Sequence, residues 1–122
     1  MPVASKKCGR DKMTLAQLIE NIRFEVVTGD INMDREVQTG YTSDLLSDAI
    51  ANIEENSVWI TMQRHINILG VAKLKDVVAV VIPRNLQVEQ SVVDKAREEG
   101  VAILRGPQTA FEISALIYNA LK

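Results

Sequence analysis

One cysteine, one histidine and one tryptophan are all that the 122 residues hold of these types, and with two tyrosines and two phenylalanines the aromatics reach only 4%. Each scarcity excludes something. Cys8 has no second thiol with which to close an intramolecular disulfide. Cys8 and His65 together cannot form a zinc site without several carboxylates, and the carboxylates here show no ligand-like spacing, so no metal is expected. A Cys8–His65 catalytic pair would require the amino-terminal segment to fold back over the body, at a heavy ordering cost. No apolar run approaches the roughly 18 residues that cross a bilayer, because even Val77 to Pro83 has only the length of a buried strand. No charged-then-apolar leader opens the chain, and the expected location is the cytoplasm.

Glycine is equally dispersed. Gly29, Gly40, Gly70, Gly100 and Gly106 are too far apart for a P-loop or for the Gly-x-Gly-x-x-Gly dinucleotide fingerprint, and no catalytic triad or metal constellation is present. An enzyme is therefore not expected, and neither is a cofactor. Formal charge is −2, with Lys6, Lys7, Arg10 and Lys12 gathered at the start against Asp11, which leaves the body acidic. An acidic body repels phosphate backbones and few rings are available for base stacking, so nucleic acid is an unpromising partner.

What is present is an ordinary globular composition, 47% hydrophobic and 25% charged, at the length of one domain. Residues 1–12 show no hydrophobic period and read as a flexible arm, and the domain is expected over 13–122. From Met13 onward β-branched runs alternate with helical stretches, the pattern of βαβ units. The spacing predicts a helix over Leu15–Ile22 capped by Thr14, a strand over Phe24–Val27, an extended Val37–Tyr41 and a helix started by Thr42-Ser43-Asp44. That helix would bury Leu45, Leu46, Ala49, Ile50 and Ile53. A strand at Ser57–Thr61, an apolar helix at Ile66–Leu74 and a strand at Val77–Ile82 follow. Next come a helix at Gln90–Glu99 closed by Gly100 and a strand at Val101–Leu104. The last helix is capped by Thr109, and its apolar residues wrap so much of its circumference that one face is free to meet a second subunit. The expected fold is a three-layer α/β/α sandwich with a mainly parallel sheet of about five strands.

The richest segment runs from Asp34 to Asp48 and places turn formers, hydroxyls and charges just before a helix. A helix start carries unpaired N–H groups and the positive end of a dipole, so Thr42, Ser43 and the backbone are able to hold a phosphate or carboxylate, with Arg35 adding charge. The competing reading is structural: Ser43 or Asp44 caps the helix, Asp34 pairs with Arg35, and Gly40 permits a tight turn. An enzymatic version would use Asp44 or Asp34 as a base beside Thr42 or Ser43, but the sequence shows neither a raised pKa nor a bound substrate. Trp59 and Gln63 fit either a pocket at a strand's carboxyl end or, for Trp59, the core.

The run Asp34-Arg35, Gln38-Thr39-Gly40-Tyr41, Ser43-Asp44-Leu45-Leu46-Ser47-Asp48 and Val58-Trp59-Ile60-Thr61-Met62-Gln63 resembles the DRTGG domain, over about residues 13–122. Gln38 and Thr39 depart from it, standing where the motif has Thr and Gly. The resemblance implies an accessory domain of the kind found in some phosphotransacetylases and beside CBS domains, similar to the N-terminal domain of HPr kinase/phosphorylase but without its kinase domain. The expectation is a regulatory domain that binds an anionic small molecule or nucleotide through Arg35, Gly40, Thr42, Ser43, Asp44 and Gln63. It would act through a homodimer or a partner enzyme. The alternative is an interaction module with no small-molecule ligand, whose dimer surface combines the last helix with the Trp59 to Gln63 region.

Overall fold

The computed structural model describes residues 12–122; the expected arm lies almost wholly outside them. Helix α1 (Leu15–Ile22) begins at Thr14, whose hydroxyl accepts from the Gln17 amide at 3.2 Å while the Gln17 side chain accepts from the Thr14 amide at 3.0 Å. This reciprocal box satisfies two N–H groups that the first turn leaves free. The remaining elements are β1 (Glu25–Val26), β2 (Thr39–Thr42), α2 (Leu46–Asn52), β3 (Ser57–Ile60), α3 (Asn67–Leu74), β4 (Ala79–Ile82), α4 (Gln90–Glu99), β5 (Ala102–Arg105) and α5 (Ala110–Leu121). Gly100 closes α4 at φ +73, and Thr109 with Glu112 forms a second capping box at the start of α5.

The five strands lie in the order β1-β5-β4-β3-β2. Strands β2 to β5 are mutually parallel, whereas β1 pairs antiparallel with β5, Glu25 opposite Arg105, so the sheet is mixed. Successive side chains leave a strand on opposite faces. Accordingly Trp59, Val80, Ile82 and Ile103 join Ala49, Ile68, Val92 and Ala96 of α2, α3 and α4 in one core. Val58, Ile60, Val81 and Leu104 join Leu15 and Leu18 of α1 and Ile113 and Ile117 of α5 in another. Strands covered on both faces read as unbroken apolar runs, which is why β3 and β4 stand out in the sequence.

Residues 27–38 carry the chain from one sheet edge, β1, to the other, β2, passing the amino ends of the strands between. Thr28, buried, takes over the antiparallel pairing where β1 ends, its hydroxyl accepting from the Ile103 amide at 3.0 Å. Asn32, at φ +60, then donates to the Val78 carbonyl at 3.1 Å.

Three local expectations are corrected. Helix α2 starts at Leu46 rather than at Thr42-Ser43-Asp44, because Thr42 still belongs to β2 and neither Ser43 nor Asp44 caps the helix. Leu45 and Ile50 are outside the core, 63% and 42% exposed, since the short helix turns only Ala49 fully inward and Ile53 is buried just beyond its end. Ile66 precedes α3 and is likewise exposed.

Candidate functional site

The residues singled out in the sequence fall into three places. Arg35 sits at the amino end of the sheet. Its Nη2 donates to Asn56 Oδ1 at 2.9 Å and to the Asp76 carbonyl at 3.1 Å, and its Nη1 lies 3.2 Å from Asp76 Oδ1. Asn56 and Asp76 immediately precede Ser57 of β3 and Val77 before β4, and both have left-handed backbones, φ 65 and 52. Asn and Asp tolerate that region better than most residues. The guanidinium thus ties together the two turns that launch β3 and β4. The expected Asp34–Arg35 pair is replaced by Arg35–Asp76, a partner 41 residues on that sequence proximity does not suggest.

Ser43, Asp44 and Gln63 meet at the other end, where the parallel strands finish. One oxygen of Asp44 accepts from Thr61 Oγ1 at 2.9 Å and from the Met62 amide at 2.7 Å, while Gln63 Nε2 donates to the Asp44 carbonyl at 2.8 Å. Ser43 Oγ accepts from the Leu45 amide at 3.2 Å, and its carbonyl accepts from Trp59 Nε1 at 2.9 Å. Asp44 therefore takes up donors of the loop after β3 that a bound anion would otherwise use. Trp59 is fully buried, in keeping with its core reading, and contributes no surface to this cluster.

Gly40 and Thr42 face α5. Thr42 Oγ1 lies 2.7 Å from Ser114 Oγ, and a Cβ on Gly40 would stand 3.6 Å from Ile117 and 3.7 Å from Val58. A groove of about 760 Å³ runs here between the edge strand β2 and α5, bounded by Gly40, Ile60, Phe111, Ala115, Tyr118 and Leu121. On the other face of β2, Tyr41 donates its hydroxyl to Asp48, which also accepts from Asn52. That hydrogen bond raises the Tyr41 pKa and lowers that of Asp48, each above or below its ordinary value.

Sequence reasoning passed over the cations at the carboxyl end. Arg64 donates to the Met62 carbonyl at 3.2 Å and to the Gln87 carbonyl at 2.9 Å, and Arg84 Nη2 lies 3.2 Å from Met62 Sδ. Neither has a carboxylate within 4.0 Å among the described residues. Exposed Leu45, Met62 and Ile66 belong to the same end. Arg105, by contrast, is engaged by Glu25 at 2.9 and 3.0 Å. The available signal was positional: Arg64 and Arg84 each follow a strand's carboxyl end within a few residues. Among the described residues no cluster of three His, Cys, Asp or Glu side chains suits a metal ion, and no helix is long and apolar enough to cross a membrane.

No family model matches the chain, and no curated protein matches it either. Among solved structures, it is similar to the CBS and DRTGG domains of the regulatory region of Clostridium perfringens pyrophosphatase, complexed with its activator diadenosine tetraphosphate. The TM-score is 0.65 at 14% identity, over 93% of this chain and 53% of that one. The chain thus spans about half of that regulatory region, and at this identity the likeness is one of fold.

Proposed function

We propose that the chain is a regulatory domain without catalytic activity that binds an anionic small molecule, a nucleotide being the leading candidate, at the carboxyl ends of β3 and β4. The observation that carries this reading is the pair Arg64 and Arg84, flanking Met62 with donors left over and no carboxylate beside them among the described residues. Guanidinium groups match phosphate geometry, and the exposed Leu45, Met62 and Ile66 offer apolar surface for a base or an acyl group. Ser43, Asp44 and Gln63 form the adjoining wall. Gly40 and Thr42 belong to the groove, and Arg35 serves the fold.

The similar pyrophosphatase regulatory region, which carries a nucleotide activator, supports the regulatory part of this reading. The two cores on opposite faces of the sheet support a three-layer α/β/α arrangement in the DRTGG manner. In this reading the domain works in the cytoplasm and passes ligand occupancy to a second copy or to a partner enzyme. A second reading, an interaction module with no small ligand, is favoured by one observation, the exposed aromatic residues of α5.

The test is a thermal-shift series against adenine nucleotides, coenzyme A derivatives and acyl phosphates, on the native protein and on Arg64→Ala and Arg84→Ala. A ligand at about 100 times its dissociation constant adds about 2.7 kcal/mol of stability. A shift that weakens with salt and disappears in both variants is the expected result. A shift untouched by either substitution would remove the site from this end of the sheet, and no shift with any compound would leave the interaction module.

A further inference from the structure

Helix α5 has two apolar stripes, and the fold uses only one. Ile113 and Ile117 are buried against the sheet, whereas Phe111 is 82% and Tyr118 68% exposed, with Leu116 partly so. Phe111, Ala115, Tyr118 and Lys122 are spaced four, three and four residues apart, so they lie along one face. We infer that this face and the adjoining groove against β2 form the interface with a second copy of this chain, α5 packing antiparallel on its counterpart about a two-fold axis near Ser114 and Ala115. The inference does not depend on the anion site.

Three features point to a second copy rather than to another partner. The midpoint between Phe111 and Tyr118 falls between Ser114 and Ala115, so an axis there sets each copy's Phe111 beside the other's Tyr118, twice over, with the smallest side chains at the crossing. Small residues at that point let the two helices approach closely. The patch is also self-complementary, because it carries both projecting rings and, at Gly40, a recess between β2 and α5 able to receive one. Finally, the charges of α5 sit towards its ends, Glu112 in the first turn and Lys122 at the carboxyl end. Antiparallel packing brings the Lys122 end of each helix toward the Glu112 end of the other. An acidic or basic macromolecule would be met by clustered charge, and this stripe has Lys122 alone.

The area is adequate. Each ring has roughly 150–250 Å² to bury; with the part already covered taken off, two from each copy supply about half of the about 1,200 Å² at the low end of specific interfaces, and Ala115, Leu121 and the groove walls against β2 supply the rest. Partner β2 edges come near each other in the same arrangement, which shields a strand edge that would otherwise stay open to unintended pairing.

The experiment is sedimentation equilibrium over a concentration series, joined to a cross-link. Native protein is expected at twice the 13.5 kDa chain mass, and Phe111→Glu is expected to be monomeric with an unchanged far-ultraviolet spectrum, since that side chain plays no part in the core. In a Cys8→Ser background, Ala115→Cys should oxidise to a covalent dimer, because residues on a two-fold axis come within disulfide reach. Cysteine placed at exposed Asp94 on α4 should not. A native protein that stays monomeric at every concentration, or a dimer indifferent to Phe111→Glu and not captured by Cys at 115, overturns the inference.

Discussion

Replacing Arg35 by alanine separates a structural role from a ligand-binding one. The guanidinium makes two hydrogen bonds, to Asn56 Oδ1 at 2.9 Å and the Asp76 carbonyl at 3.1 Å, and one ion pair with Asp76 at 3.2 Å. Hydrogen bonds from a charged group contribute about 1.5–3 kcal/mol net. The ion pair adds little, since the Asp76 side chain is 64% exposed and such surface pairs are worth about 0–1 kcal/mol. Losing all three also frees two turns whose left-handed residues the contact holds in place, but the Arg35 side chain is 28% exposed and its bond to the Asp76 carbonyl is open to water, which discounts the sum, and the expected cost is about 2–3 kcal/mol. For a domain of this size about 4 °C of melting temperature accompanies each kcal/mol, so a fall of roughly 10 °C follows. Arg35→Lys should recover the ion pair but not the forked contact, and fall between the two. Urea unfolding followed by the fluorescence of the single, fully buried Trp59 reads the midpoint directly. An Arg35→Ala protein within about 0.5 kcal/mol of the native one would refute the structural role, and if it had also lost ligand binding the anion site would move to the amino end of the sheet.

Thr28→Val should cost about 1–3 kcal/mol, because it removes the hydroxyl that accepts from the buried Ile103 amide; amide exchange at Ile103 should accelerate, and unchanged exchange would contradict the role given to Thr28. Gly100→Ala, at φ +73, should lower stability by about 1 kcal/mol in urea unfolding, even though nothing lies within 4 Å of the added methyl. The Tyr41–Asp48 contact has a double pH dependence. With Asp48 lowered, its contribution is present above the ordinary carboxylate range and lost as pH falls through the folded-state value. With Tyr41 raised, the contribution is present below the ordinary phenol range and lost as pH rises through the folded-state value. Tyr41→Phe should therefore narrow the stability gap to native protein at both pH extremes, and a gap independent of pH would show that the contact does not form in solution.

Local chemistry was legible wherever it is decided by neighbours in the chain. Thr14 and Thr109 announce their helices through boxes completed three residues later, and α1 and α4 have the expected bounds because their apolar spacing coincides with cap and stop residues. Long-range contacts were not legible. Asp44 resembles a helix cap, yet its carboxylate is taken by Thr61 and Met62, so β2 continues to Thr42 and α2 starts later. Arg35 resembles the charge of an anion site beside Ser43, yet the two occupy opposite ends of the parallel strands. The antiparallel seating of β1 rests on pairing between Glu25 and Arg105, which no local pattern encodes.

Strand order also sets a schedule. Strands β2, β3, β4 and β5 are added side by side in the order in which they are synthesised, but β1, made before them all, pairs only with β5. On the ribosome the first strand must wait for the last, a contact spanning 80 residues, and pairings of such range form slowly. Until Ala102 to Arg105 emerge, β4, every residue of which is buried in the finished protein, is a bare apolar edge. Chains cut short before Ala102 are expected to aggregate rather than to fold around the strands they already possess, and the earliest of the five strands to be made is the last to be paired.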